Sequence, residues 1–529
     1  MKVGHLNETL MMKTSKESGL GGTVTPVPSV SMSMPDLATV VVNQMLVVEN
    51  GMLKAQEAPT TVDMEANVDV ASSLMPQNWS NRRKWLILII LSLMSLMVNM
   101  SLVICTPASS VIAQQFNNYD SFLSVFFITV PNLGQVIGPL YIGPLSERFG
   151  RLPVCHFFNL MFLVFTMITG FSNSLAMVIV FRFLAGASVA SICLNPAITG
   201  DLFAVNKRGA AMSLTSMIPI LGSAVGPIIG GYVTQYLSWR WTFWLMAIAT
   251  SCLSLLMVAV LKESYVPLIQ RRALRKSGSG LGSVSSPSKY LTGWNLTTFK
   301  SISLLTVRPF VILSSSRIAV LMALYLSILF GYVSLLVATT ASVFQDVYGF
   351  SESHSGLIYI ALTIGTLSGA LMCTFTLDYF LIRGISRKTP DDCTTLCPEN
   401  RLIPIIPAMV IFPVGLLLYG WSLHFRYHWI VPTVATVLCG FSLSSSTTPI
   451  MNYIVDIFGE RSASAVAAVL PLRYVAGAFL PVAAPYMYST LGYGWGNSLL
   501  AFVLLAAVPV PLLVIVQPER MKPLTKSSG

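Results

Sequence analysis

From Trp85 to the neighbourhood of residue 516 the chain is a succession of apolar runs, most about 20 residues long or longer, separated by short polar turns. A run of that length spans the hydrocarbon core of a bilayer as an α-helix. Twelve are readable, at about 85–108, 121–143, 153–171, 175–199, 210–235, 241–261, 309–337, 354–378, 403–423, 429–455, 463–489 and 494–516. The chain is 54% hydrophobic and 10% charged, against about 25% charged in a soluble domain. The pattern excludes a soluble globular protein and predicts an all-α polytopic membrane protein.

The sixth and seventh runs are separated by a Ser/Gly/basic stretch over 263–308, so the sequence divides into a tail (1–80), six spans (81–262), a linker (263–308), six further spans (309–517) and a C-terminal tail (518–529). Twenty-three Lys and Arg residues, from Arg82 to Lys526, fall in the loops on the side of the tails, and only Arg240 and Arg426 fall opposite. That asymmetry predicts both termini and the linker on the cytosolic side. It also accounts for the net charge of +11 without invoking nucleic acid. The sequons at Asn7, Asn78 and Asn295 then face the cytosol and the one at Asn99 lies in a span, so none is expected to carry glycan. The eight cysteines have neither a disulfide framework nor a zinc spacing. No metal or cofactor is expected.

Between the second and third runs stands Gly143-Pro-Leu-Ser-Glu-Arg-Phe-Gly-Arg151. It resembles the loop signature of the major facilitator superfamily, whose fold is two pseudo-symmetric six-helix bundles. Arg182-Phe-Leu-Ala-Gly186, Gly222-Ser-Ala-Val-Gly-Pro-Ile-Ile-Gly-Gly231 and Trp239-Arg-Trp-Thr-Phe-Trp244 extend the resemblance. The second of these is similar to the antiporter motif of the twelve-span drug:proton antiporters. Asn78-Trp79, Asp201-Leu-Phe203, Arg308-Pro309, Tyr348-Gly-Phe-Ser351 and Gly492-Tyr-Gly-Trp-Gly496 resemble the fungal multidrug, toxin and polyamine exporters of that branch.

The resemblance implies a cytosolic latch built from Gly143, Glu147, Arg148, Gly150 and Arg151, with Glu147 facing the start of span eleven near 462–465 and Arg151 pairing with Asp201. Arg182 is the sharpest single residue, because a guanidinium near a span centre costs about 2.5–3.5 kcal/mol on insertion scales and needs polar partners. The resemblance implies a role in proton coupling; the residue alone is equally consistent with an arginine satisfied by backbone carbonyls. Arg473 raises the same question without a carboxylate nearby in sequence. Gly222, Gly226 and Gly230 lie on one helical face with Pro227 and Gly231 beside it, either a plain packing face or the bent, close-packed helix of an exporter.

In the superfamily the cargo sits between the halves, lined by spans one, four, seven and ten. Mapped here these give Asn99, Ser188, Asn195, Tyr325, Tyr332, Ser445 and Asn452 as candidates. Few acids lie within the spans, which favours apolar or weakly polar drug-like or secondary-metabolite cargo over polyamines. The expectation is a monomeric, proton-coupled exporter in the plasma membrane, with a vacuolar or other internal membrane as the rival location. A polyamine or organic-cation transporter and a transporter-like receptor without net flux are the alternatives. No phosphate-binding G-x-x-x-x-G-K-[ST] loop supports an ATP-driven pump, and no clustered catalytic groups support an enzyme.

Overall fold

The computed structural model describes residues 75–117, 120–203, 205–269, 316–386, 398–458 and 462–516. The expected N-terminal tail (to residue 74), linker positions 270–308 and C-terminal tail lie outside these, as do the sequons at Asn7 and Asn295. In the first half the helices are α1 (Asn81–Val103), α2 (Ser109–Gln115), α3 (Ser121–Phe149), α4 (Arg151–Gly170), α5 (Leu175–Ala187), α6 (Ser191–Leu202), α7 (Val205–Tyr236) and α8 (Trp239–Val260). The second half holds α9 (Arg317–Tyr348), α10 (Glu352–Leu357), α11 (Tyr359–Ser386), α12 (Ile405–His424), α13 (Ile430–Phe458), α14 (Ser462–Phe479), α15 (Ala484–Ala507) and α16 (Pro509–Val516). No strand occurs among the described residues.

Among the described residues, ten helical segments are long and apolar enough to cross a membrane. Two features bring these to the twelve passages expected. Span four is split between α5 and α6, where Ser188–Ala190 leave the helical path, and the shorter α5 is itself apolar. The single segment Ala468–Ile515 bends at Gly492, whose φ of 70° is open to glycine without a Cβ penalty. The seventh span differs from the sequence reading: helix α9 continues to Tyr348 and ends on Gly349 in the left-handed region, with φ 66°. Its last turns carry polar residues that lower hydropathy. Thr339 and Thr340 donate to the carbonyls of Leu335 and Leu336 at 2.8 and 2.6 Å, so their hydroxyls are satisfied inside the helix.

Each half has its own apolar core. Leu88, Leu91, Phe158, Phe162, Leu194 and Met257 pack in the first, and Met322, Leu329, Phe412, Leu416, Tyr453 and Leu504 in the second. Large apolar side chains on the outer faces stay exposed, such as Phe157 (54%), Leu255 (69%) and Phe375 (75%). That inversion is what a lipid-facing surface requires, since hydrocarbon solvates these groups as well as the protein interior does. Because successive spans alternate in direction, the helix ends carrying Arg148 and the ion pairs Arg151–Asp201 and Arg401–Asp456 fall on the side of the basic loops, called here the basic face.

On the opposite face hydrogen bonds tie the halves together. Gln345 donates to the carbonyl of Pro107 at 3.2 Å and accepts from Ser110 at 3.3 Å, and the hydroxyl of Ser353 donates to Gln235. Nearer the middle, Thr129 and Asn132 of α3 donate to the carbonyls of Ala478 and Gly477 on α14, at 2.9 and 3.1 Å.

Candidate functional site

Beneath that closure lies a cavity of about 490 Å³ between the halves. Three helices of the first half (α1, α3, α7) and four of the second (α9, α11, α13, α14) supply its wall, including Asn99, Thr129, Asn132, Ser223, Phe330 and Arg473. Hydroxyls, amides and aliphatic groups dominate the lining. Arg473 is its one charged residue, and no carboxylate lines it among the described residues.

Of the substrate-path candidates, Asn99 is on this wall. The others are placed elsewhere. Tyr325 and Tyr332 are 1% and 3% exposed, inside the core of the second half. The face of α9 that meets the cavity instead carries Phe330, Val333, Ser334, Val337 and Ala338, an i, i+3, i+4, i+7, i+8 stripe from which Tyr325 and Tyr332 are displaced. Ser188 donates to the carbonyl of Leu184 at 2.9 Å at the break in span four. Asn195 donates to Leu91 O at 3.0 Å and to Ser95 Oγ at 2.6 Å, binding α6 to α1. Ser445 is fully buried against α11, where Gly369 approaches it, and Asn452 donates back to Thr448 O at 2.9 Å. Ser444, Thr447 and Thr448 face the cavity from α13 in their place. The resemblance pointed to spans one, four, seven and ten; the structure adds Thr129, Ser223, Thr366 and Arg473, from spans two, five, eight and eleven, to the wall.

The latch residues come together at the basic face. Gly150, with φ 103°, turns α3 directly into α4. Arg151 donates from Nη1 to Ser146 Oγ at 2.7 Å, and its Nε lies 3.5 Å from Asp201 Oδ2. Burial pushes the Asp201 carboxyl above its ordinary range, against the opposing pull of Arg151 and of Ser264, which donates to it at 3.3 Å. The sequence reading missed Glu263, assigned there to the linker. Its carboxylate, 9% exposed, accepts from the amides of Arg151 (3.0 Å), Leu152 (3.3 Å) and Tyr265 (3.1 Å), capping α4 where helix N–H groups are otherwise unpaired. A Cβ at Gly150 would run into this carboxylate. Arg148 lies over the Phe149 ring at 5.4 Å, and space around Gly143 is open. Glu147 is exposed; the side chains at 462–465 lie outside the described residues.

Arg182 is 3% exposed. It donates to Leu102 O (2.9 Å), Ile128 O (3.2 Å) and Cys105 Sγ (2.9 Å), and faces the Phe243 ring at 5.6 Å. Leu102 is in the last turn of α1, whose carbonyls lack intrahelical donors, so this arginine joins the carbonyl end of α1 to α3. The glycine face of α7 packs on the same helix: Cβ atoms would stand 2.7 Å from Leu96 O at Gly222 and 3.0 Å from Met100 O at Gly226, and Gly230 abuts Ile104 O. Gly231 and Pro227 face the other half, meeting Glu352 and Gly356 of α10.

The family model of the Major Facilitator Superfamily matches residues 88–481. The chain belongs to this superfamily. It is 36% identical over 439 residues to the MFS transporter cpaT of Aspergillus oryzae, covering 83% of this chain and 87% of the relative. It is 34% identical to the efflux pump radE of Floropilus chiversii, covering 88% and 85%. Among solved structures it is similar to the xylose transporter XylE from E. coli in a partially occluded inward open conformation. That match has a TM-score of 0.60 at 16% identity and covers 82% of this chain and 97% of the other; the likeness is one of fold. This chain is accordingly a superfamily transporter, a multi-pass membrane protein and not an enzyme.

Proposed function

We propose that this superfamily member exports small, largely apolar organic molecules, drug-like compounds or secondary metabolites, by alternating access coupled to inward proton movement. The observation that carries the reading is the central cavity of about 490 Å³, walled by both halves and closed on the face away from the basic loops. Its volume suits a drug-sized molecule, and its hydroxyl and aliphatic lining suits an apolar one. The efflux pump radE, similar along most of the chain, supports the direction of transport. With the basic loops in the cytosol, a state closed on the opposite face loads from inside the cell. The protein acts as a monomer in the plasma membrane on this reading.

The test is efflux of labelled hydrophobic compounds from cells lacking their own exporters, with and without a protonophore. Efflux that the protonophore abolishes supports the proposal. Efflux that persists when the proton gradient is collapsed removes proton coupling, and a correctly localised protein that binds compounds without moving them is a receptor.

A further inference from the structure

The two arginines within the helical bundles are treated very differently by their surroundings. Arg182 is almost wholly enclosed, and both its Nη atoms donate, to two carbonyls and a thiol, with only its Nε left without a partner. Arg473, on α14 of the other half, lines the central cavity. Its guanidinium carbon stands over the Phe330 ring, 4.2 Å from the centroid, within the range of a cation–π attraction that holds the group beside the ring. Its Nε is buried without a hydrogen-bond partner, and among the described residues no carboxylate pairs with it. A guanidinium carries five N–H donors in a fork that matches a carboxylate. An unpaired charge of this kind is unfavourable in an apolar wall unless something that enters the cavity completes it.

We infer that Arg473, held by Phe330, is an anion-recognition point in the central cavity, and that the preferred cargo is an organic monoanion, a carboxylate on an otherwise apolar body. The inference rests on the export reading and narrows it. The anionic group of the cargo accepts hydrogen bonds from the guanidinium, while its apolar body lies along the aliphatic parts of the wall such as Val333, Val337 and Leu443. The same charge repels cations, so amines of equal size are disfavoured.

Binding to the purified full-length protein is measured by energy transfer from its tryptophans to three probes matched in size: dansyl-undecanoic acid, its methyl ester and dansyl-undecylamine. The acid is expected to bind at least about tenfold more tightly than the ester, the scale of one charge-assisted hydrogen bond, and the amine more weakly than either. Arg473→Met is expected to reduce acid affinity to that of the ester, while Arg473→Lys keeps the order acid over amine. Equal affinities for acid and ester in the unaltered protein overturn the inference whatever the variants do, so a variant that fails to fold does not protect it. Vesicles containing the protein separate the two readings. If the acid binds selectively but no probe is moved, export fails and the anion site stands; if ester and amine are bound and moved as well as the acid, export stands and the anion site fails.

Discussion

Replacing Glu263 by alanine should loosen the start of α4 selectively. Its carboxylate accepts three backbone amides, those of Arg151, Leu152 and Tyr265, and is only 9% exposed. Hydrogen bonds to charged groups contribute about 1.5–3 kcal/mol each when buried, and loss of a helix N-cap costs about 0.5–2 kcal/mol. Water entering the vacated space recovers part of this, which leaves a net loss of about 2 kcal/mol for opening the first turn. With a factor of ten for every 1.4 kcal/mol, the amides of Arg151 and Leu152 should exchange hydrogen roughly 30-fold faster. Glu263→Gln, which keeps an acceptor oxygen but removes the charge, should fall between. Hydrogen–deuterium exchange read by mass spectrometry on peptides covering the α3–α4 turn makes the measurement. Unchanged exchange there in Glu263→Ala would refute the assignment of this carboxylate as the cap of α4.

Other parts of the structure yield sharp outcomes. Because burial raises the Asp201 carboxyl, acidification protonates it at a higher pH than a solvated aspartate, near 3.9. The Arg151–Asp201 contact should therefore weaken as pH falls through that raised value, and Asp201→Asn should reproduce the low-pH balance of inward and outward states at neutral pH, read by cysteine accessibility on the two faces. Gly226→Leu places its side chain against Met100 O and Val103 Cγ2, both 3.0 Å from the Cβ position; it should force α7 from α1 and abolish transport while expression persists, checked by efflux and immunoblot. Arg182→Met strands the carbonyls of Leu102 and Ile128 and should lower thermal stability in detergent by the equivalent of about 2–3 kcal/mol, without moving the pH profile of residual transport.

The positions of the spans were legible because lipid solvation demands long apolar runs, and hydropathy reads that demand directly. The breaks inside them were not. Ser188–Ala190 interrupt span four without a change in polarity, and the polar last turns of α9 hide their hydroxyls on the helix's own backbone, whereas Gly492 falls in the gap that the sequence leaves between the eleventh and twelfth runs. The latch was visible in part, since Gly150, Arg151 and Asp201 stand out among apolar neighbours. Glu263 stands out equally, directly after span six, but its partners are backbone amides, which carry no signature in sequence. The cavity wall was the least legible. Ser188, Asn195, Ser445 and Asn452 are the same kinds of side chain as Ser444, Thr447 and Thr448, and only the rotation of each helix against its neighbours decides which of them see the gap. Arg473 was visible as a charge within a span, but its lack of a partner emerged only once the helices around it were in place.

The central claim is that cargo passes through the cavity between the halves. Ser444→Trp and Thr447→Trp, which fill that cavity from α13, are compared with Leu255→Trp on the lipid-facing side of α8, where the native residue is 69% exposed, by efflux of a transported compound at equal surface expression. The account predicts that both cavity variants lose efflux while the α8 variant retains it; efflux surviving in both cavity variants would contradict it.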